Sequence, residues 1–398
     1  MRRILVLIGA LLASVQAFDK VQELGILVDV SKSDFSLRGQ LLANGGTLAD
    51  ENYNLGFAYG PAIIKEGDEY HMFVCSNGVI GDTANITGWD RVRHFKSLDG
   101  KAWGPPSIVV QIAPDKHISE RSACDPSVVK KDGYWYLYYG GHLPGIAGVI
   151  YVARSRSIEG PYEKWTGSGW AVNPPQPKPI IYPKVPASNH LTVCDQYHIN
   201  TAGDGNYYGA GQPSVVVRSS SNEIWMWYAD ASLQIDSTYP CSKRRYFLVK
   251  SKDGINFGLP IAIRHGGSDF FTYADGGEVK WNEVQQRFEM FQLKQEMHPD
   301  KPLEEVIQST STDGVNWTAW QTRLRIPNFS NNIGLMSDKY GSITGDSTIL
   351  AFGTPWDVQN KHVFGVWDVY GLKIWGLNKP GPGYSYYARR ILPFLQLD

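Results

Sequence analysis

The chain has 398 residues, 38 Lys and Arg against 39 Asp and Glu, and 42% hydrophobic residues, enough for a large core. The near-neutral balance argues against a nucleic-acid or anionic-membrane partner. With 41 Gly, 23 Pro, 13 Trp, 22 Tyr and 15 Phe and no sustained 3.6-residue apolar period, the composition points to an all-β protein of short strands and tight turns.

Residues 1–17 read as a signal peptide. Arg2 and Arg3 form the basic start, Ile4 to Leu12 the apolar run, and Val15-Gln16-Ala17 a small-residue cleavage site. The apolar run is too short to span a bilayer. Its removal takes away two Arg and no acid, leaving a charge of about −3. The expectation is a secreted, soluble protein, extracellular or periplasmic. Export would place Cys75, Cys124, Cys194 and Cys241 in an oxidising compartment, where they can form up to two disulfides in three possible pairings. Asn85-Ile86-Thr87, Asn316-Trp317-Thr318 and Asn328-Phe329-Ser330 match the glycan acceptor pattern, which matters only in a eukaryotic host.

Residues 18–50 read as an irregular N-terminal extension with one apolar strand candidate at Leu24 to Val28. From there a unit recurs. Its clearest copy, Cys124 to Tyr139, is a strand, an Asp132-Gly133 turn and an aromatic strand, a strong hairpin signal. Gly60-Pro61-Ala62-Ile63-Ile64 opens an earlier copy and Gln212-Pro213-Ser214-Val215-Val216 a later one; a fourth begins at Asp275-Gly276-Gly277-Glu278-Val279. A weaker fifth runs from Tyr340 through a Gly345-Asp346 turn to Tyr370. A Pro-rich insertion with His190, Cys194, Asp195 and His198 separates the second and third copies.

Units close with S-x-D-G-x-x-W/F at Ser97, Ser251 and Ser311. There Ser and Asp side chains bond turn backbone, Gly supplies a positive φ, and the aromatic fills the space between neighbouring units, so Asp99, Asp253 and Asp313 are structural. Five four-stranded units make a five-bladed β-propeller in one domain, residues 51–375, with 376–398 as a tail packed on it.

In a propeller the first residues of the innermost strands converge on one pocket. The repeat places Gly60, Asp125, Gln212, Asp275 and Asp338 there. Three acids from different blades suit glycoside hydrolysis, which needs an acid, a base or nucleophile, and a group that tunes the acid. Each also has a plain structural reading, Asp125 as a strand cap, Asp275 as a loop cap and Asp338 as a turn residue. Glu278 faces away from Asp275 on a regular strand, and a bulge at the glycines would make it a further acid candidate. His142, His190 and His198 could bind substrate hydroxyls, and Trp89, Tyr207 and Tyr208 could stack on sugar rings. No zinc-ligand spacing is present, so no zinc site is expected, and a structural calcium ion in the channel is left open.

The strand openings, the SxDGxxW turns and Ser157-Ile158-Glu159-Gly160-Pro161-Tyr162 together resemble the five-bladed propeller glycosidases, above all glycoside hydrolase family 43, over about residues 55–375. The resemblance implies action on arabinosyl- or xylosyl-type glycans, with many members inverting configuration. It also implies a base before the Pro of blade one, a tuning Asp before the Pro of blade three and an acid opening blade four. This chain has Gly60, Gln212 and Asp275 at those places. Rotating the pattern by one blade puts it on Asp125, Asp275 and Asp338, all acids. Glu159-Gly160-Pro161 matches the acid motif as a string but lies in an outer turn. Two readings follow: an exported monomeric glycosidase acting on an oligo- or polysaccharide, with Asp125 as base, and a sugar-binding propeller that has lost turnover.

Overall fold

The computed structural model describes residues 18–28, 58–76, 91–113, 120, 122–143, 147–184, 209–230, 244–266, 268–269, 271–272, 277–294, 303–327, 330–355 and 367–377. No helix occurs among them, and five sheets are arranged as a five-bladed β-propeller. The inner strands of blades one to five are Ala58–Glu66, Cys124–Lys131, Ala210–Arg218, Glu278–Asn282 and Asn331–Leu335. Each pairs antiparallel with the next strand outward.

The blades are hydrophobic on both faces because both faces are covered. Alternate residues of a strand point to opposite sides, so adjacent positions enter different seams. Trp135, Leu137 and Tyr139 pack towards blade one, and Tyr136 and Tyr138 towards blade three. Val216 enters the seam to blade four while Val215 and Val217 enter the seam to blade two. The core is therefore five separate layers, one in each gap between blades.

The Asp132-Gly133 turn forms with φ of 49° and 81° at its two residues, as expected for a tight hairpin. The S-x-D-G turns also do what the sequence implies. Ser251 Oγ accepts from Gly254 N at 2.9 Å, and Asp253 Oδ1 accepts from Ile255 N and Asn256 N at 2.9 and 2.8 Å. Ser311 and Asp313 repeat the pattern. The glycine carbonyl then receives an aromatic donor from the preceding blade: Tyr138 Oη donates to Gly254 O, and Trp227 Nε1 to Gly314 O, both at 2.9 Å. These two turns are latches between blades.

Three expectations need correction. Lys20–Val28 is not part of an extension beside the propeller. It pairs antiparallel with Trp367–Trp375 as the outermost strand of blade five, so the start of the chain closes the ring against its end. Blade five opens at Asn331–Leu335, not near Tyr340. Asp338 consequently stands away from the mouth. It belongs to a segment that crosses the opposite ends of the inner strands and bonds all four other blades through backbone. Ser337 N donates to Ile63 O (3.0 Å), and Lys130 N, Val217 N and Trp281 N donate to the carbonyls of Lys339, Tyr340 and Gly341 (2.6, 2.9 and 3.1 Å). Asp338 Oδ1 accepts from Tyr340 N and Ser342 N at 2.8 Å each, holding this axial clasp in shape. Burial raises its pKa, against those two hydrogen bonds.

The latches carry a pH dependence. Burial alone would raise Asp253 and Asp313, but hydrogen bonds from backbone, Asn and Ser donors outweigh it and hold both at about 2. A depressed carboxyl stabilises fully above its unfolded value and loses that contribution as pH falls through its folded value. Allowing for solvent screening, Asp253→Ala and Asp313→Ala should each cost about 1 kcal/mol at pH 7. In urea melts the gap to wild type should close between about pH 4 and pH 2.

Candidate functional site

Four inner strands begin with the same irregularity. Pairing shifts register between Tyr59 and Ala62, Cys124 and Ser127, Gly211 and Ser214, and Asn331 and Ile333. Within each bulge one residue is left-handed: Gly60 (φ 59°), Asp125 (50°), Gln212 (53°) and Asn332 (41°). A bulge turns a side chain out of the strand's alternation and re-aims it. In three blades the following residue is Pro61, Pro126 or Pro213, which has no N–H to withdraw from the ladder. Asp and Asn tolerate this backbone, whereas Gln212 holds it only because its surroundings do.

The bulged residues meet at one open pocket. Gly60, Asp125, Gln212 and Asn332 line it with Gly277 and Glu278 from blade four. Its atom-free space, open mouth included, is about 360 Å³. Two carboxylates and two carboxamides thus face one space, supplied by four blades.

Asn332 Nδ2 donates to Asp125 Oδ1 at 2.5 Å. The residue before Asp125 is covalently fixed, because Cys124 forms a disulfide with Cys75 of blade one. The Tyr59 hydroxyl lies 3.1 Å from Cys124 Sγ. Closing a loop of 49 residues, this bridge stabilises by about 4 kcal/mol on chain-entropy grounds, and it pins the strand that carries Asp125. Cys194 and Cys241 lie outside the described residues.

Glu278 enters by a different route. Val279 N donates to Ser214 Oγ at 2.8 Å, just as Val215 N donates to Ser127 Oγ at 3.1 Å one blade earlier. In register Glu278 therefore takes the place of Ser214, not of Asp125. Its Oε1 lies 2.5 Å from Lys280 Nζ, and its Oε2 lies 2.9 Å from Ser214 Oγ. Both members of the ion pair are buried. A β-carbon on Gly277 would stand 2.9 Å from the Gln292 side chain, so the chain ahead of Glu278 lies closer to its neighbour than other residues allow, and Glu278 reaches the pocket from an unbroken register rather than from a bulge.

Of the residues expected at the mouth, Asp125, Gln212 and Glu278 are brought together and Asp338 is not. Asn332 was missed. His142 lies on the second strand of blade two, beyond Gly140, and does not line the pocket. Asp275, Trp89, His190, His198, Tyr207 and Tyr208 lie outside the described residues. Calcium takes six to eight oxygens. Among the described residues no three His, Cys, Asp or Glu are placed together to hold a metal ion. No helix among the described residues is long and apolar enough to cross a membrane.

Lys280 makes Glu278 costly to neutralise. Removing one partner of a buried ion pair leaves the other charge uncompensated, at about 3–5 kcal/mol. Glu278→Gln should lower unfolding stability by about 3 kcal/mol, and adding Lys280→Met should restore most of it in urea melts.

No family model matches the chain, and no curated protein matches it. Solved structures do. Zg3597, a family 117 glycoside hydrolase from the marine bacterium Zobellia galactanivorans, aligns with TM-score 0.58 at 13% identity over 97% of this chain and 99% of its own. The catalytic domain of the Coprinopsis cinerea family 62 α-L-arabinofuranosidase aligns with TM-score 0.52 at 10% identity, over 90% and 98%. The GH43_1 enzyme of Xanthomonas citri, in complex with xylose, gives 0.51 at 12%, over 83% and 91%. By structure, at low sequence identity, the chain is a five-bladed β-propeller resembling glycoside hydrolases of families 43, 62 and 117.

Proposed function

We propose that the protein is an exported glycoside hydrolase acting on arabinosyl- or xylosyl-type glycans, with Asp125 as its base. The observation that carries this reading is the pocket: four blades direct Asp125, Gln212, Glu278 and Asn332 into one open space. Carboxylates and carboxamides together offer the acceptors and donors that bind the hydroxyls of a sugar. The structural neighbours support the substrate class, since the Xanthomonas citri enzyme is seen with xylose and with xylotriose. The leader at residues 1–17 and the Cys75–Cys124 disulfide support export.

In the proposed reaction Asp125 takes a proton from a water molecule as its oxygen bonds to the anomeric carbon. The glycosidic C–O bond breaks, and an acid from blade four gives its proton to the departing oxygen: Asp275, or Glu278 once a bound substrate has displaced Lys280 from it and it has taken up a proton. Configuration inverts, and the enzyme ends with the base protonated and the acid ionised until solvent exchanges the proton back.

One observation favours the second reading, a sugar-binding propeller without turnover: both oxygens of Glu278 are occupied by Lys280 and Ser214. The two separate experimentally. On 4-nitrophenyl α-L-arabinofuranoside and β-D-xylopyranoside, Asp125→Asn should lower kcat by about a hundred- to ten-thousandfold. The acid variant, Glu278→Gln or Asp275→Asn, should lose turnover of arabino- and xylo-oligosaccharides while sparing the nitrophenyl substrates, whose leaving group needs no proton. Xylotriose binding by calorimetry, without turnover of any of these substrates and unchanged in Asp125→Asn, would establish the binding protein instead.

A further inference from the structure

Asp125 belongs to blade two, but its carboxylate lies over blade one. A β-carbon built on Gly60 would stand 3.2 Å from Asp125 Oδ1 and 3.5 Å from Asn332 Nδ2. The Asn332 amide, which comes from blade five, donates to that same Oδ1 at 2.5 Å. Blade one stands between blades two and five in the ring, since its two core layers are shared with them. The hydrogen bond therefore spans a whole blade, and it passes over the residue of that blade that has no side chain.

We infer that Asn332 is a positioning residue that fixes the Asp125 carboxylate, and that position 60 is glycine because this bond passes over it. The inference rests on the reading of Asp125 as the base and adds what holds that base in place. A side chain at position 60 would be strained at φ +59°, and its β-carbon would crowd the Asp125 oxygen that accepts the bond while touching the Asn332 amide at ordinary contact distance. On the other side, a β-carbon on Gly140 would lie 3.7 Å from Asp125 Oδ2, so glycines flank both carboxylate oxygens. A carboxamide suits the task because it does not titrate and donates at every pH. Donation to an ionised oxygen is stronger than a neutral hydrogen bond and favours the ionised form.

The direction of the effect follows. Without the donor the carboxylate takes up a proton more readily, so the acid limb of kcat/KM moves to higher pH. A second carboxylate at the same distance moves it further, because two like charges cannot both stay ionised there. Asn332→Ala should lower kcat/KM on 4-nitrophenyl α-L-arabinofuranoside about tenfold, mostly in kcat, and shift the acid limb up by about one pH unit. Asn332→Asp should shift it further, and Gly60→Ala should act in the same direction as Asn332→Ala.

A readout independent of turnover is the side-chain amide of Asn332 in ¹⁵N-labelled full-length protein, followed from pH 3 to pH 8. It should titrate in the wild type and be flat in Asp125→Asn. An amide signal that does not respond to pH, or an Asn332→Ala profile with its acid limb unmoved while Asp125→Asn abolishes turnover, overturns the inference and leaves the proposed reaction standing. A wild type without turnover removes the reaction, and the amide titration then decides the positioning by itself.

Discussion

The structure depends on one constraint: each blade is apolar on both faces, so no blade can exist without two neighbours. Five interblade layers satisfy it only if the ring closes, and the layer between blades five and one is completed by Leu27 and Val28 from the start of the chain, packed with Ala58, Ile63, Met72 and Val74. Full closure removes the exposed faces that an open stack would leave in water. The latch turns add direction to this packing. A glycine carbonyl that accepts from Tyr138 or Trp227 fixes how far one blade rotates against the next, which apolar contact alone leaves loose.

The pocket is a consequence of closure rather than a separate construction. Once the inner strands are arranged around an axis, whatever opens them meets at one end. The other end is taken by the clasp at residues 337–343, which uses backbone groups of all four other blades. The two ends are therefore built oppositely. At the clasp, backbone donors and acceptors satisfy one another and Asp338 is used up in holding the turn. At the mouth the ladder is interrupted by bulges, and polar side chains face an open space.

Much of the ring was legible because its signals are local. The Asp132-Gly133 hairpin and the three S-x-D-G turns fold as short-range chemistry dictates, and x-Pro at 60, 125 and 212 marks three of the bulged openings. Blade five lacks that mark. Its opening reads Asn331-Asn332-Ile333, with neither Pro nor acid, so the repeat is easily aligned late, at Asp338. The closing strand was half legible: only Leu27 and Val28 are buried along Lys20–Val28, so its polar first half reads as loop. Glu278 could be placed only by register, which the Ser127 and Ser214 hydroxyls reveal and strand alternation alone misjudges. Asn332 carried one usable signal, an Asn pair ahead of an apolar strand, since Asn is among the residues that tolerate a left-handed backbone.

These placements bear on why a propeller can change its chemistry without changing its fold. Apart from Ile333, which both lines the mouth and packs in the layer between blades four and five, the residues of the seams and latches stand away from the mouth. A glycine in blade one and a glutamine in blade three alter what the pocket presents. What constrains the mouth is backbone conformation, because each bulge keeps its residue left-handed, and a non-glycine residue held there costs of order 1 kcal/mol or more. Asp125 and Asn332 meet that cost most easily and also bond each other, so the residues best suited to the strained backbone are the ones whose side chains meet over Gly60. Glu278 escapes the cost by arriving from the regular part of its strand, and for the same reason it arrives already engaged by Lys280 and Ser214. The carboxylate on the strained backbone and the carboxylate on the relaxed one therefore meet the pocket with different partners, the Asn332 amide for Asp125 and Lys280 with Ser214 for Glu278.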